Sequence, residues 1–450
     1  MLKKILLFVI VILSVSCENE NFEDTVIIDT PPTGLTELVI TKDFNEIPLD
    51  GTSWDIIYKT MYSDHGNHMY TIGNDRYLLF PGNGYDDSTG ETGSPILFKE
   101  IDGKWKFVKI FLSIGVEDIR NFRKIDDTTF VWGGASENSP DTCNCNGIVG
   151  RPNNIWLVKA VPDDVIFTQI NTETSWFHDI SYGDIDDDGL FDVIWAPSND
   201  VYFQNPNGTF RLERDVFPDS AGIGAGYFSI EAGDLFGDSK VEVVKTIYLT
   251  STSEALRQGF IVYQFNETTR KMEEIFRKRN PLLSGDSGGN NTQIIDINND
   301  GFNDLIISRE GDSGTHNNHT EIWMGDGTPN LIPTDVIGDS KKFQILSTNL
   351  MDVNGDGNLD VVFAARNGSV RLTSDPWDGF RLNDMIWIND GSGKFSNYTK
   401  SELVGGEGSD FGKFIPYMKD GNLTFFGESF NRPENGKART YINEVTILNL

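Results

Sequence analysis

The feature that most limits what this chain can become is a nine-residue phrase that returns. Asp184, Asp186 and Asp188 stand at alternate positions, Gly189 follows, and Asp192 closes the phrase. The same spacing recurs as Asp296, Asn298, Asp300, Gly301 and Asp304, and again as Asp352, Asn354, Asp356, Gly357 and Asp360. A fourth, worn copy runs from Asp234 through Asp238 to Glu242, with Phe236 and Ser239 where an oxygen donor and the glycine would stand. Alternating oxygen donors, a glycine for the sharp bend and a ninth-position carboxylate suit a hard cation such as Ca²⁺, which takes about 6–8 oxygens at roughly 2.3–2.6 Å. An acidic turn without metal would use the same residue types, since Asp, Asn and Gly are turn residues in their own right. Three returns of the whole spacing favour the metal.

The nearest alternative loop, an EF-hand, needs a bidentate Glu at the twelfth position and a helix on each side. Here the twelfth residues are Trp195, Ile307 and Phe363, none of which can ligate. Each lies in a β-branched or aromatic run (VIWA, LIIS, VVFA), so the loop joins two strands. With following runs such as EIWMGDG at 321–327 and MIWINDGSGKF at 385–395, the pattern resembles the FG-GAP/VCBS repeats of integrin α-subunit-like β-propellers. The resemblance is specific over residues 181–395 and faint outside them. It implies a seven-bladed β-propeller with Ca²⁺ in the loop between strands A and B of several blades. It does not by itself imply a function, because propellers host many.

The rest of the chain agrees with an all-β fold. It is strand-like almost throughout, carries 45 glycines and shows no helical periodicity. Seven apolar runs stand where a blade's second strand would be, beginning at Tyr77, Phe130, Val193, Val243, Leu305, Val361 and Phe425. Their mean spacing of about 58 residues exceeds the roughly 40–50 of an ordinary blade, so the loops are long. Blade seven has only three strands before the chain stops. Leu38-Val39-Ile40-Thr41 is expected to supply the fourth by pairing with residues 446–450, closing the ring and covering an exposed edge.

The expected organisation is a signal peptide at 1–16, an acidic and Pro-containing linker at 17–34, and the propeller at 35–450. Lys3-Lys4, an apolar run at 5–13 and Ser14-Val15-Ser16-Cys17 read as a secretory signal too short to span a membrane. Its ending resembles a bacterial lipoprotein signal, which implies lipidation at Cys17. Ser14 stands where Leu is usual in that family. The acidic stretch at 18–24 resembles the surface-export signal of Bacteroidetes lipoproteins, so the expected location is the outer membrane, facing outward. As a solvated tether, residues 18–34 could reach on the order of 50 Å. A formal charge of −31 argues against nucleic acid or an anionic membrane surface as a partner, so the only membrane contact expected is the lipid anchor.

In an up-and-down blade the A–B and C–D turns share one rim, and the B–C and D–A connections share the other. The acidic loops therefore mark one rim. The longest loops, at 81–94, 134–153, 309–320 and 366–383, fall on the opposite rim, where a rigid scaffold concentrates binding. The five histidines (His65, His68, His178, His316, His319) map to that second rim, near Trp377, Arg371 and Arg381. His178, Trp377, Arg371, His316 and His319 are the candidate ligand-binding residues. Trp323 and Trp387, at equivalent third-strand positions, are expected in the core between blades. Cys143 and Cys145 are too few for a structural zinc site; a local disulfide and two free thiols are both open.

The reading that follows is a calcium-stabilised, surface-anchored propeller that binds a glycan or a protein and carries no chemistry of its own. The alternative is a glycan-degrading enzyme, a polysaccharide lyase first among them, in which a His base with Tyr and Arg helpers abstracts a proton beside a uronate carboxylate.

Overall fold

The computed structural model describes residues 25–27, 37–49, 52, 68–80, 93–112, 114, 121–133, 143–145, 148–150, 154–171, 179–218, 227–247, 259–279, 287–311, 318–340, 344–366, 382–398, 413–434, 436–448 and 450. Among them there is no α-helix, only one turn of 3-10 helix at Leu382–Met385. The strands form seven antiparallel blades. Blade three is representative: strands A to D are Asp179–Gly183, Asp192–Ala196, Val201–Gln204 and Phe210–Glu213, paired in chain order. The A strands of blades two to six lie beside one another around a common axis. Blade six is also hydrogen-bonded to blade seven through Ala365 opposite Phe414.

The seven apolar runs are the B strands of the seven blades, and their packing explains why they are so largely apolar. Alternate side chains of a strand point to opposite faces, and each face of a blade meets a neighbour. In blade three, Val193 and Trp195 pack with Val131 and Ile155 of blade two, while Ile194 and Ala196 pack with Ile230 and Val243 of blade four. Both faces are core, so both must be apolar. Trp323 is buried against Phe260 of blade four, with ring centroids 4.9 Å apart; Trp387, in the same register, is half-buried.

The ring closes as the sequence suggests, over a longer stretch. Glu37–Pro48 pairs antiparallel with Lys437–Leu448, placing Leu38 opposite Ile447, Val39 opposite Thr446 and Ile40 opposite Val445. It thus becomes the outer strand of blade seven. Thr25–Ile27, within the stretch read as a linker, adds a further short strand to its outer edge. The closing strand also reaches blade one: Asp43 accepts the Trp105 N–H at 2.7 Å and Asn45 accepts that of Phe107 at 2.8 Å. The joint between first and last blades is therefore tied by side chains as well as by a shared strand.

One loop assignment needs correction. Residues 309–320 are not loop throughout, because Asp304–Gly311 and Asn318–Met324 extend into them and pair Arg309 with His319. The side chains drive this: Arg309 ion-pairs with Glu321, both fully buried, so the strands must continue to enclose them. In the 134–153 connection, Cys143–Cys145 and Ile148–Gly150 form a small hairpin.

Candidate metal centre

The acidic loop of blade three joins strands A and B, as the spacing requires. Asp184 folds it: Oδ1 accepts the Asp188 N–H and Oδ2 the Gly189 N–H, each at 2.9 Å. Asp188 in turn accepts the Leu190 N–H at 2.9 Å. Two residues take left-handed backbone, Asp187 with φ 56° and Gly189 with φ 84°. The sixth-position glycine is thus explained by the bend. The sequence reading missed the fourth position, which is Asp187, Gly237, Asn299 and Gly355 in the four loops, all left-handed. Its signal was present, since Gly, Asn and Asp are the residues that tolerate that region best.

The ninth carboxylate has a second role that spacing alone did not reveal. Asp192 is fully buried; its Oδ2 accepts the Ile185 N–H and its Oδ1 the Gln204 N–H, both at 3.0 Å. It therefore ties the loop to the end of the third strand. Asp304 does the same with Ile297 and Gly325, Asp360 with Val353 and Asn389, and Glu242 with Leu235 and the Gln264 side chain. Burial, reinforced by neighbouring loop carboxylates, pushes Asp192 and Glu242 up to about 7 and Asp304 up to about 6. Each carboxylate oxygen retains lone-pair capacity beyond the single bond it accepts.

Whether these residues suit a cation can be judged at Asp186. Donor oxygens of Asp184, Asp186 and Asp188 lie within 4.8 Å of one another. The Asp186 side chain is only 7% exposed, and its Oδ1 is buried with no hydrogen-bond partner among the described residues. Its Oδ2 faces two guanidinium groups, Arg270 at 3.3 Å and Arg211 at 3.5 Å. Three converging carboxylates with an orphaned buried oxygen fit a bound divalent cation, which would satisfy that oxygen and offset the repulsion. The loops of blades five and six have the same backbone, and Asn298 and Asn354 replace the carboxylate at the third position. In the worn loop, donors of Asp234, Asp238 and Glu242 also converge, and Ser239 holds the glycine position at φ 69°.

A family model described as FG-GAP-like repeat matches residues 184–244 and 296–363. The chain carries FG-GAP-like repeats. The matched repeats contain the sound loops of blades three, five and six and the worn loop of blade four. Among solved structures, one described as the Dos1 propeller aligns at 10% identity over 86% of this chain and 94% of its own, with a TM-score of 0.40. No curated protein matches.

The opposite rim is less visible. Cys17, His178, His316, Arg371 and Trp377 lie outside the described residues. His319 does not sit in a loop; it is a buried strand residue, 6% exposed, with Nε2 3.8 Å from Glu321. His68 begins the first strand of blade one, its ring against Phe122 and Phe130 at 4.8 and 4.1 Å. Two histidines expected on the working face are therefore packed.

Proposed function

We propose that this propeller is a calcium-stabilised, surface-anchored binding or adhesion module, held to the outer membrane through lipid on Cys17 and recognising a glycan or a protein without catalysing a reaction. The orphaned, buried Oδ1 of Asp186 among converging carboxylates is the observation that carries the calcium part. Asp184, Asp186, Asp188 and Asp192 would hold the ion in blade three. Asp296, Asn298, Asp300 and Asp304 would do so in blade five, and Asp352, Asn354, Asp356 and Asp360 in blade six. The ion's part is to lock hairpins in register, which leaves recognition to the connections on the opposite rim. The packing of His68 and His319 supports binding over the lyase alternative, since a general base needs access to the proton it removes.

Chelation is expected to lower the melting temperature of the purified protein and excess Ca²⁺ to restore it, as mass action requires of an ion that binds only the folded state. An unchanged melting temperature after exhaustive chelation would remove the metal from the reading. Incubation with a panel of uronate polysaccharides is expected to give no ultraviolet signal from unsaturated products. A clear signal would replace the binding module with a lyase. Cys17→Ala is expected to release the protein from the membrane fraction, and retention there would count against the anchor.

A further inference from the structure

The blade-three loop differs from its two sound relatives in how its third residue is held. In blades five and six that residue is Asn, and its own amide secures it. Asn298 Nδ2 donates to Asp300 Oδ2 at 2.8 Å, and Asn354 Nδ2 donates to Asp356 Oδ2 at 3.0 Å. The side chain is tethered from within the loop. Asp186 has no N–H to donate, and its neighbour Asp188 repels it. Something outside the loop must therefore fix its direction.

The donors come from two other elements. Arg211 is in the outer strand of blade three, and Arg270 ends the turn between the third and fourth strands of blade four. Arg270 Nη2 lies 3.3 Å from Asp186 Oδ2 and 3.1 Å from Glu213 Oε2; Arg211 Nη1 lies 3.0 Å from the same Glu213 oxygen. Both guanidinium groups sit over the Phe203 ring, at 4.6 and 5.2 Å, and Arg270 also approaches Phe265 at 5.5 Å. Glu213 and the two rings fix the arginines, and the arginines fix Oδ2. With Oδ2 held outward, Oδ1 remains the buried atom without a partner.

We propose that Arg270, assisted by Arg211, is the positioning group of the blade-three loop, supplying from the neighbouring blade the tether that an amide supplies in blades five and six. The inference rests on the calcium reading above. Occupancy of this loop then depends on the blade-four turn, whereas the blade-five and blade-six loops hold their third-position residue unaided. Loss of a partner that orients a metal ligand typically weakens binding about 10–100-fold.

The test uses the full chain carrying Asp300→Ala and Asp356→Ala, so that the blade-three site can be followed by calorimetric titration with Ca²⁺. Asp184→Ala in that background identifies the step by abolishing it. Adding Arg270→Ala is expected to weaken the step by about tenfold or more, with the melting temperature in chelator matching that of the parent. Asp186→Asn restores an internal amide and is expected to make the step insensitive to Arg270→Ala. Unchanged or tighter binding in Arg270→Ala would show the arginine to be a spectator or a competing cation, and would overturn the inference. So would a loss that persists in the Asp186→Asn background. If no step sensitive to Asp184→Ala is present even with Arg270 intact, the calcium reading itself has failed.

Discussion

Removing Arg123 tests whether the axis of the ring is held by charge. This residue lies in the first strand of blade two, 11% exposed, and borders a cavity of about 430 Å³ between the inner strands of blades two to five. Its guanidinium meets Asp179 of blade three at 3.2 Å and Glu231 of blade four at 3.0 Å. It also donates to the carbonyls of Ile180, Ile230 and Thr292 at 2.9, 3.5 and 3.4 Å, so one side chain reaches three other blades. Arg123→Met keeps most of the volume and removes the charge. Asp179 retains the Ser229 hydroxyl at 2.6 Å and the Ile230 N–H at 3.1 Å, whereas Glu231 retains, among the described residues, only Ser181 at 3.3 Å. Glu231 is thus the stranded group.

Breaking a buried pair from one side costs about 3–5 kcal/mol. For a domain of roughly 410 residues, that is a fall of about 4–6 °C in melting temperature. Burial already raises Glu231 from 4.5 to about 7, with Arg123 pulling the other way. A carboxyl raised in the folded state holds its proton there more tightly than in the unfolded chain. Its contribution to stability is complete below the unfolded value and is lost as pH rises through the folded one. Without Arg123 the folded value moves higher, so the penalty should be larger near about pH 8 than near about pH 5.5. Thermal melts of variant and parent at both pH values provide the assay. Equal melting temperatures, or a penalty that grows in acid, would refute the electrostatic account.

Three other perturbations follow from the same structure. Deleting residues 37–48 removes the outer strand of blade seven together with the Asp43 and Asn45 bonds to blade one. The chain should then melt markedly lower and associate through its open edge, as scattering would detect; an unchanged melt would mean the ring does not need its closing strand. Ser239→Gly relieves a left-handed residue at φ 69° and is expected to add about 1 kcal/mol in denaturant unfolding. No gain would show that the worn loop stores no strain there. Burial among aromatic rings pushes His68 from 6.5 down to about 3, with Lys124 nearby acting in the same direction. The stability this gives is present above about 6.5 and is lost as pH falls toward 3, amounting to about 1–2 kcal/mol by about pH 5. His68→Phe should therefore flatten the acid limb of the stability profile, and an unaltered limb would place the titration elsewhere.

Much of the architecture could be read from residues because it depends on local chemistry that repeats. An acidic turn followed by a run such as VIWA states both where a hairpin bends and that both faces of its second strand are buried. Leu38-Val39-Ile40-Thr41 could be recognised as a closing strand because blade seven was one strand short. What could not be read depends on partners distant in sequence. Arg123 and Glu231 are 108 residues apart, and nothing near either one marks it as axial. His319 looked like a loop residue because Asn317, Asn318 and Gly314 surround it. The buried Arg309–Glu321 pair, which draws the strand outward, becomes visible only once the two strands are aligned. Arg270 was overlooked for the same reason. A third carboxylate without an amide beside it signals that a donor is needed, but not which blade provides it.

The loop motif joins two tasks that the structure separates. The first and ninth carboxylates fold the turn: Asp184 and Asp234 accept equivalent pairs of N–H groups, and Asp192 and Glu242 both fasten the loop to the third strand. The third position takes no part in that folding in blade four, where it is Phe236, packed beside Phe276. A loop can therefore lose its third oxygen donor and keep its shape, which is what blade four does. The spacing of acidic residues thus reports hairpin geometry in all four copies, whereas on the calcium reading proposed above the capacity for an ion would rest on what occupies and steadies the third position. Counting motifs would give blade four the same standing as blade three. Following the third side chain shows the difference between them: Phe236 offers no oxygen, whereas Asp186 has a buried oxygen without a hydrogen-bond partner among the described residues.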